Sequence, residues 1–493
     1  MANKKIKWTE QQTQAIRERG RDVLVTASAG TGKTAVLSGR AVDIVSDKNL
    51  CPDLWSILVL TFTDAAAEQM RQRIAEQLAD AYLRSKDEHL RRQLSLLQGA
   101  DVSTIHSFCK KLITEHFYQL ELDPAFGIID ADEQRLLKAQ VLEQTIEWAW
   151  QQDDLVPMLE ELLAGRDIRP SEGFLRTIIE TSYFLEGVTW RDGWYDKAIK
   201  LCRNRNIDGN AAAKQKCLIE LKMDESLARL AQVERIYKRH KAGGSWLNKF
   251  IYDYCEPVKK LRQSSQKSWS NFVSQISAFE KPVVRVPNDV DDDVKELIRA
   301  DVKEVFSLID ELKELAVLNP DYLTRVGSKA DRQSLVLIEM VKKFEQLYSQ
   351  AKRAINRLDF ADLERYTLQL LAEPGSLSNK PTPSAIALSL REKYKFVFVD
   401  EYQDINPVQK TILDLLAGRG NVFVVGDVKQ SIYAFRGAKP QIFIEGLKTS
   451  SPRPQKQDES VRVDLNWNFR SARDVLDFVN TIFARLMSEN FGH

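Results

Sequence analysis

The sequence predicts an α/β fold, a parallel sheet whose two halves are separated by a large helical insertion. Three observations carry that expectation. Short unbroken apolar runs occupy residues 22–26 and 57–63, and again 396–400 and 422–426. Runs of this kind suit strands buried on both faces of a parallel sheet. A glycine-bearing loop follows the first run and leads into a helical pattern over 35–45. Between about 126 and 354 the texture changes to apolar residues at three- and four-residue spacing, as in Val302, Val305, Phe306, Ile309, Leu312 and Leu315. That is the spacing of helix faces.

Taken in order, residues 1–125 form the first α/β half, with a helix expected over the alanine- and charge-rich 65–75. Residues 126–354 form the insertion, and its clearest internal loop is 281–287, followed by the acidic residues Asp289 to Asp293. After residue 354 the α/β texture returns. The two α/β halves are distant in sequence and must meet in space. A chain of 493 residues suits about three domains at roughly 150 residues each.

Composition removes several classes. Hydrophobic residues at 43% and charged residues at 29% exclude wholesale disorder and collagen-like or disulfide-scaffold chains. Lys and Arg number 71 against 70 Asp and Glu, which excludes a globally basic nucleic-acid binder but leaves room for a local basic groove. The five cysteines form no C-x-x-C pair, and only His106 and His116 fall near Cys109. That spacing speaks against zinc or iron–sulfur sites and for buried free thiols. The polar start, and the lack of any apolar run near the ~18 residues a membrane span needs, predict a cytoplasmic protein.

The chemistry begins at Ala27-Ser28-Ala29-Gly30-Thr31-Gly32-Lys33-Thr34, between a strand and a helix. This is the context of a P-loop. Gly30 and Gly32 let the backbone curl so that its N–H groups face phosphate oxygens, and the helix N-terminus adds positive dipole. Lys33 is expected to neutralise β/γ oxygens and Thr34 to ligate Mg²⁺. Ala27 departs from the general pattern, which has glycine there. In the second half, an apolar strand ends in Asp400 and Glu401. Asp400 is expected to hold Mg²⁺ through water, and Glu401 to accept a proton from attacking water. The bland alternative is a solvated acidic pair opening a loop.

The segment from Asp400 through Asp404 to Gln409 resembles motif II of superfamily-one DNA helicases of the UvrD kind. Further matches stand in the family's order. Trp8 to Ala15, with Gln12, resembles the Q motif. Thr61-Phe62-Thr63 to Arg71 resembles motif Ia, and Ser103 to Cys109, with His106, resembles motif Ib. Val425 to Ala438 resembles motif III, and Leu465 to Ser471 resembles motif IV. The loop wording at 27–34, the segment 358–363, Gly426 to Gln430 and the end from Val475 to Gly492 are similar to AddA-type subunits of bacterial helicase–nucleases.

The resemblance implies a P-loop RecA-like domain 1A made of 1–125 and 355–447, a helical domain 1B of 126–354, and the start of a second RecA-like domain 2A at 448–493. It implies ATP and Mg²⁺ as cofactors, with an AddB-like nuclease subunit for a partner. It implies action on single-stranded and duplex-end DNA, 3′→5′, in double-strand break repair by homologous recombination. Gln12 would read the adenine edge and Phe469 would stack on the base. Gln430 and Arg470 would meet the γ-phosphate. Thr61, Phe62, Thr63, His106, Tyr433, Phe435 and Arg436 would line the single-stranded DNA track, where stacking ignores sequence. The bland alternatives are core aromatics at Phe62 and Phe435, a satisfied structural histidine at His106, and a strand-to-loop tie at Tyr433.

Residues 234–267 carry nine Lys or Arg against three acids, with Tyr237, Trp246, Phe250, Tyr252 and Tyr254 interleaved and Trp269 just beyond. A duplex-contacting surface is one reading; a solvated helical face with aromatics turned inward is the favoured one. The family's motifs V and VI find no match, and neither does the AddA nuclease domain. The expectation is therefore the N-terminal portion of a longer protein, with an apolar stripe at Val475, Leu476, Phe478, Val479, Ile482, Phe483 and Leu486 left exposed. Two other readings stay open: an ATP- and DNA-binding module without useful turnover, and a stand-alone UvrD-like repair helicase.

Overall fold

The computed structural model describes residues 7–163, 168–203, 213–239, 244–283, 286, 291–376, 380–418, 420–456 and 459–486. Among these, nine strands are β1 Val23–Ala27, β2 Ile57–Thr61, β3 Val102–Thr104, β4 Gly127–Ile128, β5 Arg357–Leu358, β6 Phe396–Val399, β7 Val422–Gly426, β8 Ser450–Ser451 and β9 Ser460–Leu465. β4 pairs with β5, and the other seven form one parallel sheet in the order β3-β2-β6-β7-β1-β9-β8. The two halves of the α/β domain meet as expected, because β6 and β7 lie between β2 and β1.

Both faces of this sheet are covered, which is why its strands read as unbroken apolar runs. Successive residues point to opposite sides. Val23, Val25, Val59, Phe398, Phe423 and Val425 pack with α1 Glu10–Arg17, α2 Lys33–Ser46, α3 Asp64–Ser85 and α4 Glu88–Leu96. Leu24, Leu58, Leu60, Val397, Val399 and Val424 pack on the other side with α5 Ile105–Glu115 and the helices Phe360–Leu371 and Pro407–Leu416.

β9 corrects one expectation. It pairs in parallel with β1, Val23 opposite Val461 and Val25 opposite Val463. Val461, Val463 and Leu465 are buried in the same core as α1 and α2. On the other face Thr26 Oγ1 donates to Asp464 Oδ1 at 2.6 Å. Residues 460–465 therefore extend the first sheet, and among the described residues no new sheet opens after 448. Beyond it, helix Arg473–Leu486 leaves Val475, Phe478, Val479, Ile482 and Phe483 exposed, as expected of that stripe. The side chain of Leu486 and residues 487–493 lie outside the described residues.

The chain divides into two compact units. One comprises Met1–Trp148, Glu172–Trp194 and Val341–His493; the other comprises Ala149–Ser171 and Tyr195–Met340. The helical unit is narrower than the expected 126–354. One buried ion pair accounts for part of the difference: Lys352 donates to Asp359 at 2.6 Å and ties the end of the expected insertion to the second α/β half, while Lys138, which donates to Glu186 at 3.1 Å, joins residues 126–148 to 172–194.

In the helical unit, Val302, Val305, Phe306, Ile309 and Leu312 are buried along Asp292–Lys313, against Ile219, Met223 and Leu230 of Ala213–Arg239. The aromatics of the basic segment mostly turn inward. Tyr237, Phe250 and Tyr254 are buried, with ring centroids 5.2 and 5.0 Å apart in succession, while Tyr252 is exposed. Its cations pair locally: Lys238 with Glu234, Lys259 with Glu256, and Arg262 with Asp224. The favoured face-and-core reading fits these residues; His240, Lys241, Gly243 and the side chain of Trp246 lie outside those described. Residues 281–283 carry no regular structure, and 284, 285 and 287–290 lie outside the description.

All five cysteines are free thiols, but only Cys51, Cys109 and Cys255 are buried. Cys202 is half-buried and Cys217 exposed, so two depart from the expected burial. No helix among the described residues is long and apolar enough to cross a membrane.

Candidate active site

Four neighbouring strands deliver their C-terminal ends to one place. Residues 28–34 follow β1, Asp400 and Glu401 follow β6, Asp427 to Gln430 follow β7, and Asn468 to Arg470 follow β9. The C-terminal edge of a parallel sheet is where such folds place ligands.

Ala27 is the buried last residue of β1, so its side chain belongs to the core. Ser28 and Ala29 are exposed, and Thr31 closes the turn by donating its hydroxyl to Ser28 O at 2.8 Å. Gly30 and Gly32 have φ of 81° and 89°, the left-handed region that favours glycine. Gly32 caps α2, whose first residues are Lys33 and the half-buried Thr34. The loop therefore curls onto the N-terminus of α2, the shape a phosphate cradle requires.

Lys33 Nζ donates to Glu401 Oε2 at 3.1 Å and to Gln430 Oε1 at 3.1 Å. The sequence places these groups 368 and 397 positions away, yet one ammonium joins them. Glu401 itself has φ 49°, a conformation that costs a non-glycine residue roughly 1–2 kcal/mol. The turn Tyr402–Asp404 holds it there. Within that turn Gln403 Nε2 donates to Glu401 Oε2 at 2.9 Å, and Gln403 Oε1 accepts from Asp427 N at 3.0 Å. Gln430 Nε2 donates to Asp427 Oδ2 at 2.7 Å, which aims its carbonyl oxygen at Lys33.

Asp400 is buried, and its Oδ1 accepts from Glu401 N at 3.0 Å. Burial, then the neighbouring Glu401 charge, pushes its pKa up to about 6. Lys33 and Arg73 act in the opposite direction. A buried carboxylate held this far above its ordinary range is short of positive charge. Asp400, after β6, and the Thr34 hydroxyl, in the first turn of α2, are hard-oxygen groups of the kind Mg²⁺ takes. The residues present thus fit the cation.

Gln12 is brought to the loop, though it is already engaged. Its Oε1 accepts from Thr9 N at 3.0 Å, capping α1, and its Nε2 donates to Thr31 O at 3.1 Å. Reading an adenine edge would require one of these bonds to be exchanged. Phe469 N donates to Gly30 O at 2.8 Å, and the Phe469 ring is 62% exposed above the loop. Arg470 lies beside it, so close that a Cβ on Gly30 would come 2.7 Å from Arg470 Cβ.

The next strands in the sheet carry the other candidates. Phe62 follows β2, and its ring lies 4.6 Å from Tyr433, which lies 5.9 Å from Phe435. Phe435 is 78% exposed. The three rings touch in succession, and with Phe62 half-buried and Phe435 exposed neither is a core aromatic. Thr61 is buried and donates to Thr63 O, while Thr63 caps α3 by accepting from Ala66 N. Both threonines therefore shape the turn, and only Thr63 is at the surface. His106 is half-buried and donates from Nε2 to Glu364 Oε1 at 3.0 Å. The side chain of Arg436 lies outside the described residues.

The sequence patterns assign no role to Gln403, Asn468, Glu364 or Arg40. Asn468 clamps the loop: its Nδ2 donates to Ala29 O, and its Oδ1 accepts from Arg470 N and Ser471 N. Arg40 is buried on α2, donates to Ala15 O at 2.6 Å and lies 4.7 Å from the Phe423 ring. Burial, with Arg19 nearby, lowers its pKa only to about 9, so it stays charged at neutral pH. A lone cation within the apolar face Val36, Leu37, Ala41 and Ile44 is its one sequence signal.

The model of the UvrD/REP helicase N-terminal domain matches residues 8–450. The chain belongs to the UvrD/REP helicase family. Among curated relatives, an ATP-dependent helicase/nuclease subunit of Anoxybacillus flavithermus is 36% identical over 98% of this chain and 41% of its own length. The proteins of the same name from Oceanobacillus iheyensis and Acetivibrio thermocellus are 33% and 32% identical, each over 99% of this chain and 40% of the relative. The chain spans about two fifths of the length of these relatives. Within the UvrD/REP frame, Lys33, Asp400 and Glu401 stand together at the sheet edge, with the aromatic row beside them.

Proposed function

We propose that this chain is the ATP-binding and DNA-tracking part of an ATP-dependent 3′→5′ DNA helicase, working within a helicase–nuclease in double-strand break repair. The observation that carries the reading is the single ammonium of Lys33, held between Glu401 and Gln430 at the mouth of a glycine loop. Phosphate oxygens arriving at this loop compete with Glu401 for Lys33. The glutamate is then released beside the γ-phosphate. It takes a proton from water as the water oxygen bonds to phosphorus, and the bond to the ADP oxygen breaks. Lys33, and Arg470 above the loop, balance the charge that develops on the phosphoryl oxygens. Mg²⁺, which Thr34 would ligate and Asp400 would hold through water, would supply further charge neutralisation when bound.

Phe62, Tyr433 and Phe435 offer stacking faces to successive bases, worth about 1–3 kcal/mol per base and indifferent to sequence. The relatives' name, which makes each of them one subunit of a helicase/nuclease, supports a partner subunit, which we take to be of the AddB kind. The test is steady-state ATP hydrolysis by this chain, with and without single-stranded DNA, beside Glu401→Gln. DNA-stimulated turnover that the variant abolishes supports the reading. Binding of ATP and DNA without turnover would instead make this chain a binding module.

A further inference from the structure

The carboxylate of Glu364 is 4% exposed in helix Phe360–Leu371 and accepts three side-chain hydrogen bonds. His106 Nε2 donates to Oε1 at 3.0 Å, Gln409 Nε2 to Oε1 at 2.6 Å, and Asn406 Nδ2 to Oε2 at 2.8 Å. A buried carboxylate keeps its charge only where such donors converge, and losing one is costly. The donors come from two places with different duties. His106 opens α5 at the end of β3 and stands 4.9 Å from the ring of Phe360, itself 58% exposed. That pair is a surface feature, an aromatic face beside an imidazole, on the side of the sheet edge where Phe62 lies. Asn406 and Gln409 form the capping box of helix Pro407–Leu416.

The turn Tyr402–Asp404 precedes Asn406 with only Ile405 between them. It carries Gln403, which bonds Glu401 and the backbone of Asp427. A continuous set of contacts thus runs from His106 through Glu364 and Asn406 to the turn that holds Glu401 beside Lys33. One helix carries Phe360 at the surface and, one turn on, Glu364 in the interior.

Resting on the function proposed above, we infer that Glu364 is a positioning residue that couples single-stranded nucleic acid at His106 and Phe360 to the setting of Glu401 at the phosphate loop. Contact that shifts His106 changes one of three bonds on Glu364. The carboxylate then redistributes its hold on Asn406, and with it the turn that aims Glu401. Spatial continuity does not by itself establish coupling; a measured interaction between the two sites does.

Coupling between two ligands is reciprocal, so it is read as the factor by which one changes affinity for the other. The experiment titrates a fluorescein-labelled oligothymidylate into the full 493-residue chain, with and without Mg·AMP-PNP, for wild type, Glu364→Gln and Gln409→Met. The expected wild-type factor is about five-fold or more. In Glu364→Gln it falls below about two-fold, while AMP-PNP affinity without DNA and the thermal midpoint stay near wild type. Gln409→Met, which removes one donor and leaves His106 in place, gives an intermediate factor, and Glu364→Asp restores part of the loss. A wild-type factor retained by both Glu364→Gln and Gln409→Met overturns the inference. So does unfolding of both variants, which would give the cluster a purely structural role. A wild type that binds both ligands with a factor of one overturns it while leaving the proposed function standing. A wild type that binds neither ligand removes the proposed function, and the inference with it.

Discussion

Asp400 and Glu401 are adjacent carboxylates with different surroundings, and the difference divides their work. Glu401 has Lys33 and Gln403 as donors, whereas Asp400 is buried and takes its hydrogen bond from the Glu401 backbone N–H. Its pKa of about 6 exceeds the ordinary 3.8, so the folded state binds a proton more tightly than the unfolded chain. Stability contributed by that proton is complete below about pH 4, declines as pH rises toward 6, and is gone above it. In metal-free buffer at pH 8, Asp400→Asn is therefore expected to be more stable than wild type, by at most about 3 kcal/mol. The gap should close below pH 4. Urea unfolding at both pH values checks this, and a gap independent of pH would contradict the assigned cause. Lys33, Asp400 and Glu401 are legible in sequence because each sits in a short motif after an apolar strand. Gln403 and Asn468 are not, although both lie inside such motifs. Their importance comes from partners such as Asp427 N and Ala29 O, and Ala29 is 439 positions from Asn468.

At the scale of elements, the loop 28–32 is fixed from both sides, by Gln12 on α1 and by Asn468 after β9. Gly30 is the tightest point: φ is 81°, and a Cβ would lie 2.8 Å from Asn468 Oδ1. Gly30→Ala should weaken Mg·ATP binding at least roughly ten-fold, since backbone strain alone is about 1–2 kcal/mol. Titration with a fluorescent ATP analogue measures it. α1 is anchored by Arg40, whose donor reaches Ala15 O. Arg40→Met leaves that carbonyl short of a partner but replaces a buried ion with an apolar chain, so global stability should change little, by about 1 kcal/mol. Amides of residues 10–17 should nevertheless exchange at least roughly ten-fold faster, about 1.4 kcal/mol of local opening, by hydrogen-exchange mass spectrometry. Protection equal to wild type would show that Arg40 does not hold α1. β9 escapes a reading of the sequence because its V-R-V-D-L alternation identifies a strand but not the sheet it joins. Register with β1 depends on Thr26 and Asp464, which no local pattern connects.

At the scale of the molecule, the split sheet and the helical insertion follow from periodicity, since buried parallel strands and amphipathic helices leave different spacings. The limits of the helical unit do not. Lys138 and Lys352 sit in sequence like any other charges, and no local pattern shows that Lys352 pairs with Asp359 of the second α/β half. Helix Arg473–Leu486 has the strongest surface anomaly, with Phe478 69% exposed and Phe483 50% exposed. Isolated apolar side chains at a surface are normal, but a contiguous face is not. Replacing Phe478 and Phe483 by Ser should lower hydrophobic-dye binding by the native chain without lowering its unfolding midpoint. An unchanged dye signal would mean this face is not the exposed apolar surface.

Everything proposed for the site depends on Lys33 binding the phosphates of ATP in competition with Glu401. Calorimetric titration of this chain with Mg·AMP-PNP, for wild type, Lys33→Ala and Glu401→Gln, reads that competition without requiring turnover. Wild type should bind, Lys33→Ala should lose at least roughly ten-fold in affinity, and Glu401→Gln should bind as tightly as wild type or more tightly, because the competing carboxylate is gone. Equal binding by wild type and Lys33→Ala would show that this ammonium does not hold the phosphates.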